Sequence, residues 1–142
     1  MKLLGRAGRP VRKARAVIAV VALAAAMAAA AGPRLSFVGD RNSVEMGVML
    51  RDTFCTRPLR IVNTGDSALV ITSVFSDCRC SYAKFPREAI APGDTAVIEV
   101  FFSSARRHPG AFVKSMRIRS NDKCSPHSFV ITGTVDRYST KD

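Results

Sequence analysis

From residue 35 onward, apolar and polar positions alternate with a period of two, the spacing of strands that bury one face. Leu59 and Ile61 share a face and run into Asn63-Thr64-Gly65-Asp66, after which Leu69 and Ile71 resume the alternation. Asparagine and glycine tolerate positive φ, so this stretch predicts a hairpin with a short loop. Ala96, Ile98, Val100 and Phe102 alternate with Thr95, Val97, Glu99 and Phe101, just after the turn residues Pro92-Gly93-Asp94. Beyond Pro109-Gly110, one face carries Phe112, Met116 and Ile118, and the other Val113, Ser115, Arg117 and Arg119. A last strand holds Phe129, Ile131, Gly133 and Val135, and weaker candidates cover residues 35–38 and 44–50. No helical stripe of useful length competes with these. About seven short strands divided by turn signals predict an all-β fold, an antiparallel β-sandwich. Its core should include Leu59, Ile61, Leu69, Ile71, Ile98, Val100, Phe112, Ile118 and Ile131. Pro58 lacks a ladder donor, which predicts an edge position or a bulge there.

The first 31 residues follow another pattern. Lys2, Arg6, Arg9, Arg12, Lys13 and Arg15 make a basic stretch without acidic residues, and residues 17–31 are uninterruptedly apolar. Ala29 and Ala31 before Gly32-Pro33 fit the small-x-small rule for signal peptidase. The apolar run falls short of the roughly 20 residues that span a bilayer comfortably. The expected organisation is a signal peptide at 1–31 and a single domain at 32–142, exported to the periplasm or beyond, with no stable membrane anchor after cleavage. Intact mass spectrometry of the mature protein should place its N-terminus near Gly32. A chain starting at Met1 and extracted only with detergent would make the segment an anchor instead.

Cleavage alters the charge argument. The full chain carries a net charge of +11, but six of its 22 basic residues lie in the leader, leaving 16 against 11 acidic, or +5. Arg106-Arg107-His108 is the densest basic spot, and no basic stripe with interleaved aromatics suggests nucleic acid. The two histidines, His108 and His127, lack a recognisable acid–nucleophile context, and no phosphate loop or framed carboxylate pair is visible. The chain is therefore expected not to be an enzyme and to need no cofactor.

The residues quoted above also carry a family likeness. The run from Leu59 through Asn63-Thr64-Gly65 to Leu69-Val70-Ile71 is similar to the hairpin motif of an exported bacterial family, domain of unknown function 1573. In that family Ser-Cys-Gly-Cys follows the hairpin, and here Asp77-Cys78-Arg79-Cys80 stands in its place. Ile90-Ala91-Pro92-Gly93-Asp94, Gly110-Ala111-Phe112-Val113-Lys114, Ser120-Asn121 and Val130-Ile131-Thr132-Gly133-Thr134-Val135 continue the likeness in order over residues 44–136. Two departures are Arg79 in place of the family's glycine and Glu45-Met46-Gly47 in place of Asp-Phe-Gly. The resemblance implies an immunoglobulin-like sandwich, akin to Hydin-type and PapD-like domains, without a known activity.

Cysteine placement is the main chemical question. If each turn reverses the chain, the strands carry Cys55, Cys78, Cys80 and Cys124 to one end, with Cys55 opposite Phe75. Structural disulfides are the leading reading for four thiols in an exported domain. They allow three complete pairings, and sequence does not choose among them. A direct Cys78–Cys80 bond closes a very small ring, so bridges from either to Cys55 or Cys124 are favoured, with Cys124 to Cys78 or Cys80 the specific expectation. A second reading is a Cu(I) site at Cys78 and Cys80, with His127, Met46 and Met49 as possible further ligands. A third is thiol redox chemistry, with Arg79 favouring a thiolate electrostatically. The overall expectation is a non-catalytic binding or structural module that meets an unidentified protein partner of the cell envelope through an open sheet edge. A Cu(I)-binding or thiol-redox envelope protein is the alternative.

Overall fold

Eight strands form two four-stranded sheets: β1 (Leu35–Phe37), β2 (Ser43–Leu50), β3 (Phe54–Asn63), β4 (Ile71–Ser76), β5 (Ser81–Lys84), β6 (Thr95–Ser103), β7 (Gly110–Ser120) and β8 (His127–Asp136). This computed structural model describes residues 32–137, so the signal peptide read at 1–31 and the last five residues lie outside the described residues. One sheet has the order β1-β3-β6-β5 and the other β2-β8-β7-β4. Among the described residues the only helical element is a 3-10 turn at Val38–Asp40, and no helix is long and apolar enough to cross a membrane.

All nine residues expected in the core are buried, and they form one cluster with Leu35, Val44, Met46, Met49, Phe102, Met116, Phe129 and Val135 among others. Met46 and Met49, considered above as ligands, are core residues. Their three-residue spacing breaks strict alternation because β2 carries an irregularity between Glu45 and Val48. Gly47 supplies the positive φ there, +75°, and the extra residue returns Met49 to the inner face. That irregularity is why the stretch reads weakly in sequence.

Two expectations about pairing are corrected. The chain around Asn63 is not a hairpin. β3 pairs with β1 and β6, whereas β4 pairs with β7 in the other sheet, so residues 64–70 form an arch between sheets. Neither Asn63 nor Gly65 has a positive φ; each serves another purpose. The fully buried Asn63 amide donates to Ser67 O (2.8 Å) and Ile90 O (2.9 Å), and its Oδ1 accepts from Gly65 N (3.0 Å) and Arg34 N (3.3 Å). Gly65 lies beneath the incoming chain, where a Cβ would come within 2.0 Å of Gly32 O. The motif thus closes an arch through side-chain hydrogen bonds and close backbone approach.

The second correction is β5, a short strand absent from the sequence reading. It pairs with β6, Ser81 opposite Phe102 and Lys84 opposite Glu99, and so adds one reversal of direction. Every strand after it runs opposite to expectation. The antiparallel expectation also has one exception, since β2 and β8 are parallel, from Ser43 beside Val130 to Leu50 beside Asp136. At Pro58, β3 has no neighbour on the side away from β6 among the described residues, because β1 reaches only Ile61–Asn63. That gives the local edge a proline needs.

Candidate functional site

The corrected strand directions place two inter-sheet arches side by side at the end opposite Asn63. Residues 77–80 carry the chain from β4 to β5, and residues 104–109 carry it from β6 to β7. The first arch is pinned at its neck. Ser76 Oγ and Ser81 Oγ are 2.6 Å apart, Cys78 N donates to Ser76 Oγ (3.2 Å), and Ser103 N donates to Cys80 O (2.8 Å). The base of the second is held by buried Ser104, whose hydroxyl bonds Leu50 O at 2.6 Å.

The arch turns so tightly that the Cα atoms of Cys78 and Cys80 are 5.2 Å apart and their sulfurs lie at bonding distance. This is the pairing that ring size argued against. Cys55 and Cys124 are free. Cys55 sits at the same end, across from Phe102 on β3, with its Sγ 3.6 Å from Met46 O.

Cys124 does not join them, and the expected bridge from it to Cys78 or Cys80 is ruled out by topology. Its turn lies at the Asn63 end, where neighbouring Asn121 accepts from Val70 N (2.9 Å) and donates to Ala68 O (3.1 Å). The reversal introduced by β5 is the cause. His127 lies at that end too, with Nε2 2.8 Å from Asp122 Oδ2, so Cys78, Cys80 and His127 are not brought together. Among the described residues no cluster of three or more His, Cys, Asp and Glu side chains is arranged to hold a metal.

Arg107 is what the cysteines meet instead. Reaching across from the second arch, its Nη2 donates to Cys80 Sγ at 2.7 Å and to Cys78 Sγ at 3.2 Å. Its guanidinium carbon lies 5.8 Å from the centre of the Phe102 ring, which stacks on Phe112 with centroids 4.2 Å apart. Cys80 N also lies 3.0 Å from Cys78 Sγ. An open cleft of about 680 Å³ runs between the arches, lined by the two cysteines with Arg79, Arg106, Arg107 and His108 among others, and among the described residues by no carboxylate. A cation held by both sulfurs would have to share them with a fixed positive charge. The sequence did mark Arg106-Arg107-His108 as its densest basic spot, but inverted strand directions put that turn at the other end from the cysteines.

A second polar centre was not foreseen. Asp122, buried in the β7–β8 turn, accepts from Leu35 N (2.8 Å), from Cys124 N and from His127. Burial pushes its carboxyl upward, but the Leu35 and Cys124 amides and then His127 outweigh that, and its pKa lies below the ordinary value. An aspartate in a polar turn carries no sequence mark of such burial.

Two stacked sheets with inter-sheet arches at both ends define an all-β sandwich, consistent with an immunoglobulin-like arrangement. Residues 37–135 match the family described as Protein of unknown function (DUF1573), and the chain belongs to that family. No curated protein matches it in sequence. A protein of unknown function from Porphyromonas gingivalis W83 is similar in structure, with a TM-score of 0.57 and 16% identity over 73% of this chain. The match spans 46% of the P. gingivalis chain, so this protein corresponds to about half of it. The ASH / PapD-like domain 7 of human CEP192 matches with a TM-score of 0.53 and 7% identity, over 75% of this chain and 87% of that one. The VesB protease of Vibrio cholerae matches over 72% of this chain and 31% of its own, with a TM-score of 0.53 and 12% identity. At such identities the likeness concerns the fold alone.

Proposed function

We propose that this chain is an exported immunoglobulin-like module of the cell envelope that works through protein contacts, without turning over a small substrate. The observation that supports this reading best is an apolar cluster on the outer face of the β1-β3-β6-β5 sheet. Tyr82 stacks on Phe101, with centroids 4.6 Å apart and planes 3° from parallel. Phe54 is 72% exposed, Tyr82 50% and Val97 46%, all on that face. Exposed aromatics gathered on one face mark a contact surface more than scattered apolar residues do. β5 borders the cluster, and its outer edge carries no strand among the described residues, which leaves backbone groups available to a partner strand.

A photo-crosslinking residue at position 82, in cells producing the full chain, should yield a discrete adduct. The same residue at exposed Lys123, on the far end, should not, and Phe54→Glu should remove the adduct. Equal crosslinking from both positions, or none from position 82, would refute the contact surface.

A further inference from the structure

We propose that Cys78 and Cys80 are a thiol–disulfide exchange pair whose substrates are protein disulfides and dithiols, with Arg107 holding the attacking sulfur as a thiolate. This goes beyond contact with a partner and stands on different residues from the apolar face.

A purely structural bridge is a poor account of this pair. A disulfide stabilises chiefly by restricting the unfolded chain, and more so for longer loops. Here only Arg79 lies between the cysteines, so almost no chain is restricted. The arch is already held at its neck by the Ser76–Ser81 contact and by Ser103 N on Cys80 O. The surroundings are instead those of a reactive thiol. A guanidinium sits 2.7 Å and 3.2 Å from the two sulfurs, a backbone N–H faces Cys78 Sγ at 3.0 Å, and the cleft is open and lined by no carboxylate among the described residues. Cationic and N–H donors of this kind stabilise thiolate over thiol.

The two sulfurs differ in position. Cys80 packs against the hydrophobic core, whereas Cys78 lies outside that packing on the turn. This assigns Cys78 as the attacking sulfur and Cys80 as the resolving one. In the reduced protein, the Cys78 thiolate attacks one sulfur of a partner disulfide. A Cys78–partner bond forms, the partner's S–S bond breaks, and the departing thiolate takes a proton from water. Cys80, having lost its proton to water, then attacks Cys78. The Cys78–Cys80 bond forms and the second partner thiolate leaves, also protonated by water. The pair, starting as one thiolate and one thiol, loses two electrons and one proton, while the partner disulfide gains two electrons and two protons, the second proton drawn from water. With a partner dithiol the same steps run in reverse.

The test uses the purified full chain, reduced, in a Cys124→Ser background that removes the exposed free thiol. The probes are glutathione disulfide and a cyclic peptide disulfide, with adducts followed by intact mass. Cys80→Ser should accumulate a mixed disulfide on Cys78 at least about tenfold faster than Cys78→Ser accumulates one on Cys80, because Cys80 packs against the core and is less free to meet a partner in line. Iodoacetamide labelling of Cys78 in the Cys80→Ser protein should have a pH midpoint below the ordinary thiol value of about 8.5. Arg107→Gln should raise that midpoint, and at a pH below the midpoint each unit of rise lowers the thiolate fraction about tenfold. Arg107→Lys should keep most of the effect. Equal trapping by the two serine variants, or an ordinary midpoint, would reduce the pair to a closure of the arch. If Arg107→Gln fails to fold, the serine comparison decides alone.

Discussion

Truncating Ile98 to alanine should lower the free energy of unfolding by about 2–5 kcal/mol, the range for removing most of a well-packed aliphatic side chain. Ile98 is fully buried in the middle of β6, one of the two inner strands of its sheet, opposite Leu59 on β3. Its inner neighbours Val100 and Phe102 are fully buried too, so little room exists for collapse into the space left. Val97 is the internal control. It follows the same backbone but faces outward and is 46% exposed, so Val97→Ala should cost under about 0.5 kcal/mol. Urea denaturation of both variants checks the pair. Equal losses would mean that β6 is shifted by one residue against its neighbours.

Removing the Asp122 carboxylate should have the next largest effect, and one that depends on pH. Asp122→Ala deprives the Leu35 and Cys124 amides and the His127 ring of their acceptor. Hydrogen bonds to a charged group and the cost of buried, unpaired donors suggest a loss of about 2–4 kcal/mol at neutral pH. The folded-state pKa of Asp122 is depressed below 3.8. Its charged form therefore stabilises the fold fully above that value, and the contribution disappears as pH falls through the folded pKa. The stability gap between parent and variant should be constant from neutral pH to about 5 and narrow under stronger acid. A gap that stayed constant to pH 2 would show that the carboxylate's charge contributes nothing. The bond to Leu35 also fastens β1 to the β7–β8 turn, so amide exchange in β1 should rise most in the variant.

What the sequence reveals and what it conceals divide along a physical line. Burial of one face per strand imposes a period of two on the residues themselves, so Leu59, Ile61, Ile98, Ile118 and Ile131 were legible as core. Pairing between strands has no comparable local signature. An arch between sheets and a hairpin within one both need a polar turn between apolar runs, and Asn63-Thr64-Gly65-Asp66 satisfies either. β5 has only four residues, of which Ser81 alone is buried, too few to establish alternation. Missing it reversed every later strand, moved Cys124 to the wrong end and separated Arg107 from the sulfurs it touches. The cysteine pair was visible as a motif, but the cation that gives it chemical character came from 27 residues away.

The parallel pairing of β2 with β8 governs how the domain carries tension. The described chain begins beside the Asn63 arch and finishes at the Cys78 end, so a pull between residues 32 and 137, once β1 has parted from β3, draws β2 and β8 past each other lengthwise. Six register pairs from Ser43–Val130 to Leu50–Asp136 resist that sliding together. A ladder loaded in this way must give at many rungs at once, whereas a ribbon peeled from one end gives rung by rung. A module tethered at both ends would meet stretching through that ladder together with the bonds that tie residues 32–34 to the Asn63 arch.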